Sequence, residues 1–242
     1  YRRLKMDIYY IGYLISGMVI LICIIIALVA QSKVSRAYSK YKDMPSSIGL
    51  TGAEFAQKLM ENESLALNLR SCRGHLSDHY DPRDHSINIS EENYNSSSIA
   101  SLAIVAHEFG HAQQDDQEYF PYKVRQFVVK TSNLVSRLFL PLLIIGILLQ
   151  LFWIALGGAI IIYLSVALYA VSVIASLATL PVEFNASSRA KKMLDSFGID
   201  KSQQKGVDSV LNAAAMTYVA SLLVSMAYLL RYIFLLLAIR RD

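Results

Sequence analysis

Long uncharged stretches alternate with short charged ones along this chain, and that pattern predicts its elements. Ile8–Ala30 carries no charge. As a helix rising about 1.5 Å per residue it is long enough for the ~30 Å hydrocarbon core of a bilayer. Leu138–Val182 is also free of charge. Its length suits two membrane-spanning helices joined at Gly157-Gly158. Val210–Leu230 is a third uncharged run, followed by Arg231 and then Tyr232–Ile239. It reads as a further span with an arginine snorkelling near its end. Asn212, Thr217, Ser221 and Ser225 within it suit a helix interface or a cavity.

The polar regions follow shorter periods. Thr51–Leu59 places Ala53, Phe55, Ala56 and Leu59 on one helical face, and a second helical stretch is expected from Glu61 to Leu69. Asp81-Pro82 signals a turn, and Ser86–Ser90 alternates as a short strand. Ser98–Gln114 reads as one helix, with Ile99, Leu102, Ala103, Val105 and Ala106 supplying apolar faces. Pro181 suits the start of a new helical segment, and Gly198 suits its end. The expected fold is mainly α. It is a multi-span membrane protein with one helix bearing a metal motif and a small strand element. Its parts are a leading segment 1–7, an anchor 8–30, a polar subdomain 31–133 containing helix 98–114, an apolar hairpin 134–182, a helical segment 183–209 and a last span 210–239. Tyr1–Lys5 precede Met6 and read as an appended stretch.

Composition supports this division. Hydrophobic residues make up 54% of the chain, and the mean hydropathy is +0.38. That is too apolar for an ordinary soluble domain. The first run is too long for a signal-peptide core and reads as a retained anchor. Cys23 lies in a span and Cys72 in a polar region, so no disulfide is expected between them. The net charge of +4 is modest and belongs to membrane flanks rather than to a nucleic-acid surface. Lys33, Arg36, Lys40 and Lys42 follow the first span. Lys123, Arg125, Lys130 and Arg137 precede the second, and Arg189, Lys191 and Lys192 follow the third. The positive-inside rule places these flanks, and the helix between them, in the cytoplasm, although Arg240 and Arg241 would then lie outside.

The chemistry is concentrated in His107-Glu108-Phe109-Gly110-His111. Residues four apart on a helix lie one above the other, so both imidazoles can hold the same Zn2+. Glu108 sits at the edge of that face, where a carboxylate can reach water at the metal without ligating it. Gly110 lets substrate or a neighbouring helix come close. A hydrolytic zinc needs a third protein ligand and an open position. Asp115 is excluded, because eight residues along a helix is a displacement of about 12 Å. Gln114 and Gln117 stand where an extended three-histidine motif would need Gly and His.

Glu183 is the first charge after the apolar hairpin, where the chain returns to the side of the metal helix. It fits a two-His-plus-Glu ligand set for one ion per chain. An acid favourably placed in a first helical turn is the alternative reading. Asp78, His79 and Asp81 are the next candidates for a third ligand. His79 and Tyr80 are candidates for an oxyanion or substrate contact, with His75 and His85 nearby in sequence. Ile87, Asn88 and Ile89 are candidates for a peptide-binding strand.

Ala106–Gln113 and Leu180–Ser187, together with Asp78-His79-Tyr80-Asp81-Pro82 and Leu50-Thr51-Gly52-Ala53, resemble the YugP-like bacterial neutral zinc metallopeptidases. The resemblance covers nearly everything from Met6 onward. More distantly, the chain is similar to HtpX and the CAAX-prenyl membrane proteases, in which a zinc-ligating Glu follows a membrane hairpin. Those enzymes commonly carry an Asp four residues after that Glu. Here the position is Ser187, the candidate for an outer-shell contact. The resemblance implies peptidase activity and zinc. The expectation is a bacterial-membrane zinc endopeptidase whose cytoplasmic site holds zinc with His107, His111 and Glu183 and uses Glu108 as general base. Its substrates would be peptides or membrane proteins at the lipid bilayer. The alternative from another class is a non-proteolytic zinc-binding membrane scaffold or partner subunit, for which an intact Glu108 would have no use.

Overall fold

The computed structural model describes residues 2–152 and 154–239. Tyr1, Arg240 and Arg241, on which some of these expectations fall, lie outside the described residues. The elements in order are α1 (Arg2–Tyr41), α2 (Gly52–Glu63), β1 (Asn68–Cys72), β2 (His79–Asp81), β3 (Ser86–Ser90), α3 (Glu91–Tyr94), α4 (Ile99–Asp116), α5 (Phe120–Leu151), α6 (Ala155–Ser196) and α7 (Gln204–Ile239). Among the described residues, four helices are long and apolar enough to cross a membrane: Tyr9–Tyr41, Phe120–Leu151, Leu156–Ser196 and Gln204–Leu237. The chain forms two compact units. One comprises Tyr1–Leu28, Val124–Thr179 and Tyr218–Asp242; the other comprises Val29–Lys123 and Leu180–Thr217.

The first unit is helical and apolar on its outside. Leu14, Met18, Leu21, Ile22, Ile25 and Leu28 are all exposed on α1. Water would penalise such a surface, whereas lipid would not. The expected turn at Gly157-Gly158 is displaced: α5 ends at Leu151 and α6 begins at Ala155, so both glycines lie inside α6. Their use is contact rather than turning. A Cβ on Gly158 would stand 2.7 Å from the carbonyl oxygen of Gly146, so the two arms of the hairpin meet backbone to backbone. Arg231 packs against α1. Its guanidinium lies 3.9 Å from the centre of the Tyr13 ring. Gly17 makes room for it, since a Cβ there would meet Nη1 at 2.8 Å.

The second unit has its own core. Phe55, Leu59, Ile87, Ile89, Leu102, Phe109, Val182 and Leu194 are buried together. Helix α2 starts with a capping box between Thr51 and Glu54, worth about 1 kcal/mol. It stops at Ser64, whose φ of 53° is left-handed, and does not continue to Leu69 as expected. The residues that follow alternate, Leu65, Leu67 and Leu69 with smaller or polar neighbours, and they lead into a strand. The sheet order is β1-β3-β2. Strands β1 and β3 are parallel, with Leu69 opposite Ile87, while β2 and β3 are antiparallel, with Tyr80 opposite Ile87. The strand expected at Ser86–Ser90 is therefore the central one. It is paired with β1 along its length and with β2 at Ser86, Ile87 and Asn88, so Ile87 and Asn88 have no open backbone edge with which to take up a peptide, and Ile89 is paired with Ser71 of β1. The edges are β1 and β2.

The other departure concerns Pro181, which lies inside α6 rather than at the start of a new helix. Proline fixes φ near the helical value and removes one hydrogen bond, at a cost of about 3 kcal/mol. Val182, Ala186, Ala190 and Leu194 beyond it are essentially fully buried. Burial of their apolar surface, about 25 cal/mol per Å², offsets that cost, and the helix continues past the proline. Gly198 follows the end of α6 with φ +79°, the left-handed residue expected after a helix.

Candidate metal centre

Helix α4 begins at Ser98, whose side chain accepts from the backbone N–H of Ser101. From there to Gln114 almost every side chain is buried. The helix is thus held on all sides, and the directions of His107, Glu108 and His111 are fixed by packing. Helix α6 lies against it at Gly110: a Cβ at this position would fall 2.6 Å from the carbonyl oxygen of Ala186. This close approach brings Glu183 to the two histidines.

Glu183 Oε2 is 3.3 Å from His107 Nε2 and 3.7 Å from His111 Nε2. The three residues offer ligand atoms that all lie within 4.8 Å of one another. Tetrahedral zinc with bonds of about 2.0–2.1 Å needs ligand atoms roughly 3.4 Å apart. The donor set fits a zinc ion in chemistry, and the two distances to Glu183 are close to that spacing. Among the described residues this is the one group of three or more His, Cys, Asp or Glu side chains that could hold a metal. The Glu183 carboxylate is 1% exposed. An ionised group buried this deeply needs opposite charge or a metal beside it.

Each histidine also meets a polar group through its other nitrogen. Ser187 Oγ is 3.3 Å from His107 Nδ1, and Gln114 Oε1 is 3.0 Å from His111 Nδ1. The Tyr122 ring lies 6.1 Å from the His111 ring. Glu108 is buried, and its Oε2 accepts the backbone N–H of Tyr80 at 2.9 Å. Burial raises the Glu108 carboxyl above the usual range, and the charges of Glu183 and Asp78 add to this. His107 and the Tyr80 amide act in the opposite direction.

The remaining candidates lie outside the ligand group. The Tyr80 hydroxyl donates to Asp115 Oδ2 at 2.8 Å, and His85 Nδ1 is 3.1 Å from the same hydroxyl. His79 Nδ1 is 2.8 Å from the Ser77 carbonyl, and His75 Nδ1 is 3.1 Å from Glu92. Asp78 accepts from Ser90 and Asn93, and Asp81 pairs with Arg83. A cavity of about 440 Å³ lined by Ser64–Leu67, Tyr80, His85, Ala112, Asp115 and Asp116 opens beside α4. Sequence reasoning missed Gln114 and Tyr122 as neighbours of His111. The signal for Gln114 was its position three residues after a candidate ligand, on the buried face of the same helix.

Comparisons with known proteins agree with this geometry. Residues 16–237 match the profile of a family described as "Putative neutral zinc metallopeptidase". The chain is 40% identical over 210 residues to "Putative membrane protease YugP" of Bacillus subtilis (strain 168), covering 86% of this chain and 90% of that protein. No solved structure matches it significantly. With nearly its whole length matched by that profile and by that relative, the chain belongs to the neutral zinc metallopeptidase family.

Proposed function

We propose that this protein is a membrane-embedded, zinc-dependent endopeptidase of the HExxH-plus-Glu type, with one ion per chain. The observation that carries the reading is the convergence of His107, His111 and Glu183 from two helices, with the Glu108 carboxyl beside them. His107 and His111 Nε2 and Glu183 Oε2 would hold the ion. When bound, zinc supplies Lewis acidity that acidifies water and polarises a peptide carbonyl.

The protein's own groups do the rest. Glu108 takes the proton of the attacking water and delivers it to the departing amine. A carboxyl that holds the proton through C–N cleavage can give it up to nitrogen. The Tyr80 amide fixes one carboxyl oxygen, so the base meets water in a set direction. The basic flanks support a cytoplasmic site. Four apolar helices support a substrate drawn from membrane proteins or juxtamembrane peptides.

The test is hydrolysis of an unfolded protein such as casein by the purified protein in detergent. Activity should disappear on chelation, return with one equivalent of zinc, and stay absent in His111→Ala. Cleavage that survives full removal of zinc would refute the reading. A protein that binds zinc tightly but cleaves no peptide or membrane-protein substrate would turn it towards a scaffold.

A further inference from the structure

We propose that Gln114 is a positioning residue of the metal centre, resting on the reading that His107, His111 and Glu183 hold zinc. Its amide fixes His111 as the Nδ1-protonated tautomer and ties that histidine to the backbone beside Glu183.

Hydrogen-bond polarity decides the assignment. The Gln114 side chain is fully buried, with 0% exposure. Its Nε2 donates to the carbonyl oxygen of Val182 at 2.8 Å and to Asn185 Oδ1 at 2.9 Å. A backbone carbonyl can only accept. Asn185 Oδ1 also accepts from Arg189 Nε at 2.8 Å, and a guanidinium can only donate. Both ends of the chain of bonds therefore orient the Gln114 amide the same way, with its NH2 towards α6. The oxygen is left facing His111 Nδ1 at 3.0 Å. An amide oxygen only accepts, so Nδ1 carries the proton. His111 Nε2, the atom 3.7 Å from Glu183 Oε2, then presents a lone pair.

His107 differs. Its Nδ1 faces Ser187 Oγ at 3.3 Å, and a hydroxyl donates or accepts equally well. The tautomer of His107 is not dictated in the same way. Gln114 also acts on two ligands together, since Val182 is the residue before Glu183. Its reach depends on the close approach of Gly110 and Ala186, one turn earlier on α4. Partners of this kind orient metal-binding histidines and raise their affinity.

The first test needs neither metal nor variant. Metal-free protein labelled with 15N-histidine, its His111 signals assigned by comparison with His111→Ala, should show His111 protonated on Nδ1. A bare Nδ1 with the proton on Nε2 alone would overturn the inference. The second test is competition between the protein and a chromophoric chelator for zinc. Gln114→Met removes both acceptor and donors and should weaken zinc binding about ten- to a hundred-fold. Gln114→Glu keeps an acceptor for Nδ1–H but loses the donors to α6, and its zinc affinity should fall between those of the methionine variant and the unaltered protein. If the glutamate variant is as weak as the methionine one, the bridge to α6 alone matters and the tautomer assignment falls. If Gln114→Met holds zinc normally while His111→Ala does not, the Gln114 inference fails and the metal centre stands. If His111→Ala also holds zinc normally, both fail.

Discussion

Gly110 and Ala186 meet with no space for a methyl group between them: a Cβ on the glycine would lie 2.6 Å from the Ala186 carbonyl oxygen and 3.0 Å from its Cα. These are backbone atoms in the middle of α6, so they cannot turn aside as a flexible side-chain end would. Gly110→Ala should push α6 away from α4. Overpacking of this kind costs about 1–3 kcal/mol. A shift of about 1 Å at Glu183 can lower activity on the order of 10²-fold. The expected outcome is a lower melting temperature together with weaker zinc retention. Unchanged zinc retention in the folded variant would mean that the close approach does not set the ligand spacing.

Glu108 touches the Tyr80 amide and stands outside the group of ligand atoms. Glu108→Gln keeps the shape and an acceptor for that N–H but cannot shuttle a proton. The variant should fold and hold zinc as before while losing at least about 10²-fold in peptide hydrolysis. It should also retain substrates, so mass spectrometry of proteins captured with it reads out what is cleaved. Near-normal cleavage by the purified variant would remove Glu108 from the role of base.

What the sequence revealed depends on how local the cause was. The strand Ser86–Ser90 was readable because alternation is a property of adjacent residues, and helix α4 because its period and its cap at Ser98 are local too. The pairing of β3 was not readable, because β1 and β2 reach it from either side across intervening loops, which makes it central rather than an edge. Pro181 and Gly157-Gly158 misled for one reason. Each looks like a local break, but burial of Val182 and Ala186 carries the helix through the proline, and contact with Gly146 explains Gly158. His107, Glu108 and His111 were visible as a motif. Glu183 was visible as the first charge after an apolar hairpin. The role of Gln114 was hidden, since its partner carbonyl at Val182 is 68 positions away.

Orientation in the membrane can be tested with two thiols. Gly158 is a poor site for a reporter, because it is packed against Gly146. Phe152, 73% exposed at the end of α5, is a better one. With the basic flanks in the cytoplasm, Phe152→Cys should react with a membrane-impermeant maleimide in intact cells. The native Cys72 should react only after permeabilisation. The opposite pattern would invert the proposed topology.

Glu183 provides the most direct test of the ligand set. Its oxygen lies 3.3 and 3.7 Å from the two histidine Nε2 atoms, and its carboxylate is 1% exposed. Glu183→Gln replaces an anionic ligand with a neutral amide of the same shape. It should weaken zinc retention as well as hydrolysis, whereas Glu108→Gln should affect hydrolysis alone. Asp115→Asn is the matched control. Asp115 lies on the same helix as the histidines but accepts from Tyr80, so its neutralisation should leave zinc content unchanged. The measurement is zinc per chain after dialysis against a mild chelator, with thermal unfolding followed in parallel. Full occupancy in Glu183→Gln and Glu183→Ala, with the fold intact, would show that the metal does not need this carboxylate. Loss of zinc in Asp115→Asn to the same extent would show that the assay reports general destabilisation rather than ligation. Loss confined to the Glu183 variants is the outcome expected of a third ligand.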